Sequence, residues 1–193
     1  MTTLALAART PRTRALGILL AVGALALASQ FALPIPGTPV PITLQPLVVV
    51  LAGLLLGPVD AAAAMVAYLV AGMAGLPVFA PFGAPGLARL LGPTGGYLLA
   101  YPVAAAVAGR FGAGKASFAT RALAAAAGVL VLYVGGLAQL AIISGSLARA
   151  AVLGVLPFIA ADAVTFLDAS EQLVVRDAVR PHHCERGPRT PQL

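Results

Sequence analysis

Charge is what this chain lacks most. Only 9% of its 193 residues are Asp, Glu, Lys or Arg, against 60% hydrophobic, whereas a soluble domain carries roughly a quarter charged residues. Mean hydropathy is +0.98. A surface so poor in charge cannot stay dissolved, so lipid is the expected solvent for most of the chain. Tryptophan is absent, which leaves Tyr and Phe for any interfacial role. A single cysteine, Cys184, excludes an intramolecular disulfide. The net charge of +6 comes from basic residues too scattered to form a nucleic-acid-binding patch. They read as topology signals.

Uncharged runs mark the spans, because an unpaired charge in hydrocarbon is costly. No charge lies between Arg14 and Asp60, yet Pro34, Pro36, Pro39 and Pro41 interrupt that stretch. Prolines that dense cannot continue a helix. Helices are therefore expected at about 15–33, 44–56, 61–76, 95–108, 121–143 and 157–179, with Pro58 and Asp60 opening the third. The second and fourth are short for a span.

The basic residues then set the orientation. Arg9, Arg12 and Arg14 precede the first helix, Arg110, Lys115 and Arg121 separate the fourth from the fifth, and Arg176, Arg180, Arg186 and Arg189 follow the sixth. Only Arg89 and Arg149 fall on the alternate side, ten against two. The positive-inside rule puts both termini in the cytoplasm. The expected fold is an all-α integral membrane protein, a six-transmembrane-helix bundle over residues 15–179. A cytoplasmic N-terminal segment, 1–14, precedes it and a disordered cytoplasmic tail, 180–193, follows. The basic start, the run 16–27 and the triplet Ala26-Leu27-Ala28 also resemble a secretory signal. Cleavage there would leave an odd number of helices and spoil the charge alternation, so an uncleaved first helix is favoured.

Close packing in lipid depends on small side chains. Gly17, Ala21, Ala24 and Ala28 run along one face of the first helix, Ala67, Ala71 and Gly75 along the third, and Ala104 and Ala108 along the fourth. Ordinary bundle packing explains the last two. The first could equally face another protein.

Polar groups mark the places where a ligand could sit. In the sixth helix Asp162, Thr165, Asp168, Gln172 and Arg176 share an arc of about 120° at the α-helical pitch, and Glu171 falls outside it. Intramembrane acids are functional candidates; the structural alternative is an acid paired with an arginine. Asp168 and Glu171 lie nearer the cytoplasm, where pairing with Arg176 or reaching the interface suffices. Gln45 brings an amide to the start of the second helix, and Gly92-Pro93-Thr94-Gly95-Gly96-Tyr97 leads into the fourth. Glycines there either admit close backbone contact with a ligand or simply make a tight turn.

Other motifs fail. Gly109 to Lys115 spells most of a P-loop, but Ala116 stands where Ser or Thr is needed and a helix precedes it where a strand is required. His182, His183 and Cys184 are adjacent in a polar tail and make a poor metal set. No histidine lies in a span, and no catalytic constellation is available, so neither an enzyme nor a bound cofactor or metal is expected.

Several segments together resemble the BioY family, the biotin-specific S components of energy-coupling factor (ECF) vitamin transporters. They are Val40-Pro41-Ile42-Thr43-Leu44-Gln45, Leu51-Ala52-Gly53-Leu54-Leu55-Leu56-Gly57-Pro58, Gly75-Leu76-Pro77-Val78-Phe79, Leu91-Gly92-Pro93-Thr94-Gly95-Gly96-Tyr97-Leu98-Leu99, and Pro157-Phe158-Ile159 with Asp162. The likeness covers about residues 15 to 170 in order and spacing, and 91–99 is its most specific block. It implies a multi-pass protein of the cell membrane that captures extracellular biotin and delivers it inward. Its implied partners are an ECF transmembrane coupling subunit and cytoplasmic ABC-type ATPases. Carried over by position, the ligand site would comprise Gln45, Phe79, Gly95, Tyr97, Asp162 and Thr165. Ala21, Ala24 and Ala28 would dock on the coupling subunit.

Biotin's ureido ring offers two N–H donors and a carbonyl, which suit Asp162, Gln45 and loop backbone groups. The chain departs from the family's Pro-Phe-x-Pro-Gly-Asp-x-x-Lys pattern: Ala160 and Ala161 precede Asp162, and Thr165 stands at the lysine. Thr165 offers no positive charge to a carboxylate, so Arg89 or Arg149 from an outer loop would have to supply it, or the ligand is altered. Two other readings compete: a stand-alone oligomeric vitamin carrier, and a small ion-coupled transporter using Asp162 and Asp168 as a relay.

Overall fold

A computed structural model of the chain describes residues 10–114 and 116–158. The helix expected at 157–179, and with it Asp162, Thr165, Asp168 and the 180–193 tail, lies outside the described residues, as does Lys115.

Helix α1 spans Pro11–Gln30. Thr10 caps it by accepting from the Thr13 N–H, and Pro11 takes the first-turn position where a missing N–H costs nothing. The proline-rich stretch then makes a two-strand ribbon, β1 (Ala32–Leu33) antiparallel to β2 (Ile42–Thr43), with Ala32 opposite Thr43. Helices α2 (Gln45–Leu56) and α3 (Pro58–Met73) follow, separated only by Gly57 at φ 85°. A left-handed glycine and a first-turn proline turn the chain there in one residue. Short α4 (Leu87–Leu91) lies within the next loop, and α5 (Gly95–Gly112), α6 (Phe118–Ser144) and α7 (Leu147–Gly154) complete the described part.

The expected helices at 44–56, 95–108 and 121–143 are found with edges shifted by four residues or fewer. The first and third begin and end a turn or so earlier than expected. Helices α4 and α7 and strand β2 lie in segments expected to be loops, and β1 takes the last two residues of the helix expected at 15–33. Among the described residues two helices, α1 and α6, are long and apolar enough to cross a membrane, with mean hydropathies of 1.5 and 2.1.

Helix α5 packs on α2, α3 and α6. Its contacts are made by small residues: Ala104, Ala105 and Ala108 are fully buried, as are Ala61 and Ala64 of α3 and Ala125 of α6. Two glycine pairs let backbones touch. A Cβ on Gly109 would come within 2.7 Å of the Gly53 carbonyl, and one on Gly135 within 2.6 Å of the Gly96 carbonyl. Close approach of this kind maximises dispersion contact between helices.

The two ends of the bundle differ. At one end the start of α1 meets the start of α3, where Arg14 binds Asp60, and Gly109 near the end of α5 abuts Gly57–Pro58. Buried Arg121 at the start of α6 donates to the Gly114 carbonyl at 2.8 Å. The ribbon, α4 and α7 occupy the opposite end. Arg89 and Arg149 therefore sit away from Arg14, Arg110 and Arg121.

Candidate ligand cavity

The end that carries the ribbon holds a cavity of about 160 Å³. Its lining comes from the segment 40–46, from Phe79 and Ala80, from Arg89, from Thr94, Tyr97, Leu98 and Tyr101, from Val129, Leu132 and Tyr133, and from Phe158. Three of the chain's four tyrosines line it, and the fourth, Tyr68, stands directly behind Gln45. Tyrosine thus serves the cavity.

Gln45 is buried at the first position of α2. Its amide donates to the Tyr68 hydroxyl at 2.8 Å, and its carbonyl accepts from Thr43 at 3.2 Å. Tyr68 in turn donates to the Val78 carbonyl at 2.8 Å. Tyr68 also meets Phe79 edge-on, with ring centroids 5.4 Å apart, and stacks on Tyr101 at 6.4 Å. Those are the favourable ring geometries. Ser29 and Gln30 at the end of α1 hold the same segment, with Ser29 Oγ 2.6 Å from the Val78 carbonyl and Gln30 Nε2 3.2 Å from that of Phe79. Gly72 leaves room for the Phe79 ring, which a Cβ there would overlap.

Arg89 is the only side chain charged at neutral pH among the described lining residues, and it is 6% exposed. Its guanidinium donates to the Ala80 and Phe82 carbonyls, pinning the loop that follows α3. Gly83 (φ 104°) lies against it with no room for a side chain. Burial lowers the pKa of the guanidinium below its ordinary value, opposed by nearby Tyr68 and Tyr101. An arginine so placed stays cationic at neutral pH. Two of its five N–H groups serve the loop, so the fork keeps donors for an anion.

Gln139 of α6 donates to the Leu90 and Gly92 carbonyls at 2.8 and 2.7 Å, which fixes the turn carrying Thr94 to the cavity wall. Tyr97 lies with its ring on Gly136 and donates to the Gly154 carbonyl of α7.

Of the residues expected from the sequence, Gln45, Phe79 and Tyr97 converge on this cavity. Gly95 does not line it: it is buried against the Leu90 carbonyl and Gln139, a packing position with no space for a Cβ. Asp162 and Thr165 lie outside the described residues. Of the three small residues expected to face a partner, Ala24 is exposed, Ala21 is partly buried and Ala28 is buried. Arg89, raised only as an outer-loop substitute for the missing lysine, proves to be a wall of the cavity. Tyr101 and Tyr133 were not anticipated, although tyrosines confined to otherwise apolar spans were the signal that could have found them.

A mostly apolar cavity with a few converging polar groups and one cation fits a small organic anion. Neither His, Cys, Asp, Glu nor Ser occurs among its described lining residues, and no group of metal-ligating side chains occurs among the described residues. Fold and cavity together define a helical bundle with a cavity of small-molecule size at one end.

The chain belongs to the BioY family, whose model matches residues 3–178. A Pyrococcus horikoshii protein named "Probable biotin transporter BioY" is 46% identical over 126 residues, 65% of this chain and 74% of that relative. The Thermotoga maritima "Biotin transporter BioY" is 36% identical over 136 residues, 70% of this chain and 80% of the relative. The fold is similar to a crystal structure of the S-component for biotin from an ECF-type ABC transporter, with a TM-score of 0.74, 25% identity, and coverage of 89% of this chain and 94% of that one.

Proposed function

We propose that this chain is the substrate-capture subunit for biotin uptake in the plasma membrane, binding extracellular biotin and delivering it inward with an ATP-driven ECF coupling module. The observation that carries this reading is the cavity: a lone buried guanidinium, an amide and a wall of aromatic rings in a chain of the BioY family. Biotin's carboxylate would take the free donors of Arg89. Its ureido ring would use the remaining amide capacity of Gln45, together with Asp162 as the family resemblance implies.

The outer surface supports the membrane reading. Leu123, Leu130, Val134 and Ile142 of α6 are 61–82% exposed along one helical face. Such a row is unfavourable in water and natural in lipid. Helix α6 is about 40 Å long at the α-helical rise, more than enough to cross. The 12 residues of α2 give only about 18 Å. The segment 40–44, which contains β2 and lines the cavity, would complete that crossing, the one setting in which irregular backbone at membrane depth is tolerated. Six spans with both ends cytoplasmic agree with the separation of Arg14, Arg110 and Arg121 from Arg89 and Arg149. Exposed Ala24 is the best-placed of the small residues for docking on a coupling subunit.

Uptake of labelled biotin by cells expressing the chain with its coupling module tests this reading. Uptake is expected to survive brief dissipation of the proton gradient and to stop when ATP is depleted. Immediate loss with the proton gradient would instead support an ion-coupled carrier.

A further inference from the structure

A second cavity of about 200 Å³ adjoins the first and shares Pro41, Arg89 and Thr94 with it. It is closed elsewhere by the proline-rich segment after β1, including Thr38, by the loop 82–84, and by Ala88 of α4. Arg89 thus stands at the boundary between an inner, aromatic chamber and an outer one. The outer chamber contains no other ionisable side chain among its described lining residues. Thr38 is committed, donating to the Leu153 carbonyl at 2.5 Å and accepting from the Val40 N–H at 3.2 Å.

We infer that the outer chamber receives whatever extends past the acid group of the ligand, so that the site takes N-alkyl amides of biotin as well as biotin itself. This rests on the proposal that biotin occupies the inner chamber. With the carboxyl carbon at Arg89, a substituent on it points away from the aromatic rings and into the outer chamber. The amide carbonyl still accepts from the guanidinium. A neutral chain meets proline rings, alanine methyls, glycine backbone and the Phe82 ring, while a cationic chain meets the positive charge of Arg89 without an acid among the described lining residues to offset it. The chemical class selected is therefore the neutral amide.

The test is calorimetric titration of the detergent-purified chain with biotin and with N-butyl biotinamide. Replacing an ion pair with the guanidinium by its hydrogen bond to an uncharged carbonyl weakens binding, so the amide is expected within about a hundredfold of biotin. Ala88→Phe and Ala84→Phe place rings in the outer chamber from exposed positions. Each is expected to weaken the amide by about tenfold or more while moving biotin by less than about threefold. Retained biotin affinity shows that the variants are folded. Biotin bound with the amide excluded, or both ligands weakened equally by both variants, overturns the inference alone. No binding of biotin by the folded wild-type chain overturns the proposal beneath it, and this inference with it.

Discussion

Arg14 and Asp60 form a two-pronged ion pair that ties the start of α1 to the start of α3, with Nη2 2.6 Å from Oδ1 and Nε 3.1 and 3.2 Å from the two carboxylate oxygens. Asp60 is buried in the first turn of its helix, where the macrodipole also favours a negative charge. Breaking the pair leaves that carboxylate unpartnered. Arg14→Gln is predicted to lower the thermal unfolding midpoint in detergent. Biotin affinity should stay within about threefold, because the cavity is at the other end of the bundle. A large loss of affinity with an unchanged midpoint would contradict this.

Arg89 is predicted to be the strongest single contributor to ligand affinity among the described residues. Truncating one partner of a buried charge pair costs about 2–5 kcal/mol, so Arg89→Gln should weaken biotin by about thirtyfold or more. Biotin methyl ester, which has no charge to offer, is expected to bind wild type more weakly than biotin and to lose little more in the variant. Equal losses for acid and ester would assign Arg89 to holding the Ala80 and Phe82 carbonyls alone.

The ring of Tyr97 fits because residue 136 has no side chain. Gly136→Ala forces that ring to move, and overpacking of this kind costs about 1–3 kcal/mol. Tyr97→Phe keeps the ring and loses the hydroxyl's hydrogen bond to Gly154, worth about 1 kcal/mol. Biotin titrations should therefore show the glycine variant to be the more damaged of the two. The reverse order would mean that the hydroxyl, not the ring position, matters to the site.

Ala24→Trp adds bulk on an exposed face of α1, next to Gly23, where a Cβ would meet nothing within 4 Å. Biotin binding by the purified chain should be unchanged while uptake in cells with the coupling module is lost. Ala28→Trp is expected instead to destabilise the fold, since Ala28 is 7% exposed. Normal uptake with Ala24→Trp would move the docking face elsewhere.

The helices were legible because charge is so scarce that each uncharged run stands out, and because Pro58 takes a first-turn position that the sequence announces, whereas Pro11, which opens α1, lies before the helix expected at 15–33. Gln45 was legible as an amide at a helix start. Other features depend on contacts far apart in the chain. Ala24 and Ala28 share a nominal face, yet the segment 77–79 folds back against the end of α1 through Ser29 and Gln30. Arg89 looks like a topology marker in sequence. Its burial follows from closure of a loop onto carbonyls seven and nine residues upstream, helped by the vacancy at Gly83. Helices of five and eight residues, α4 and α7, are too short to carry a periodic signal.

Equilibrium titration of the purified, folded chain with biotin, with thiamine and riboflavin as controls, tests the central claim most directly. The account predicts saturable binding of one biotin per chain and none of either control. A folded sample that leaves biotin unbound, or that binds all three alike, would contradict it.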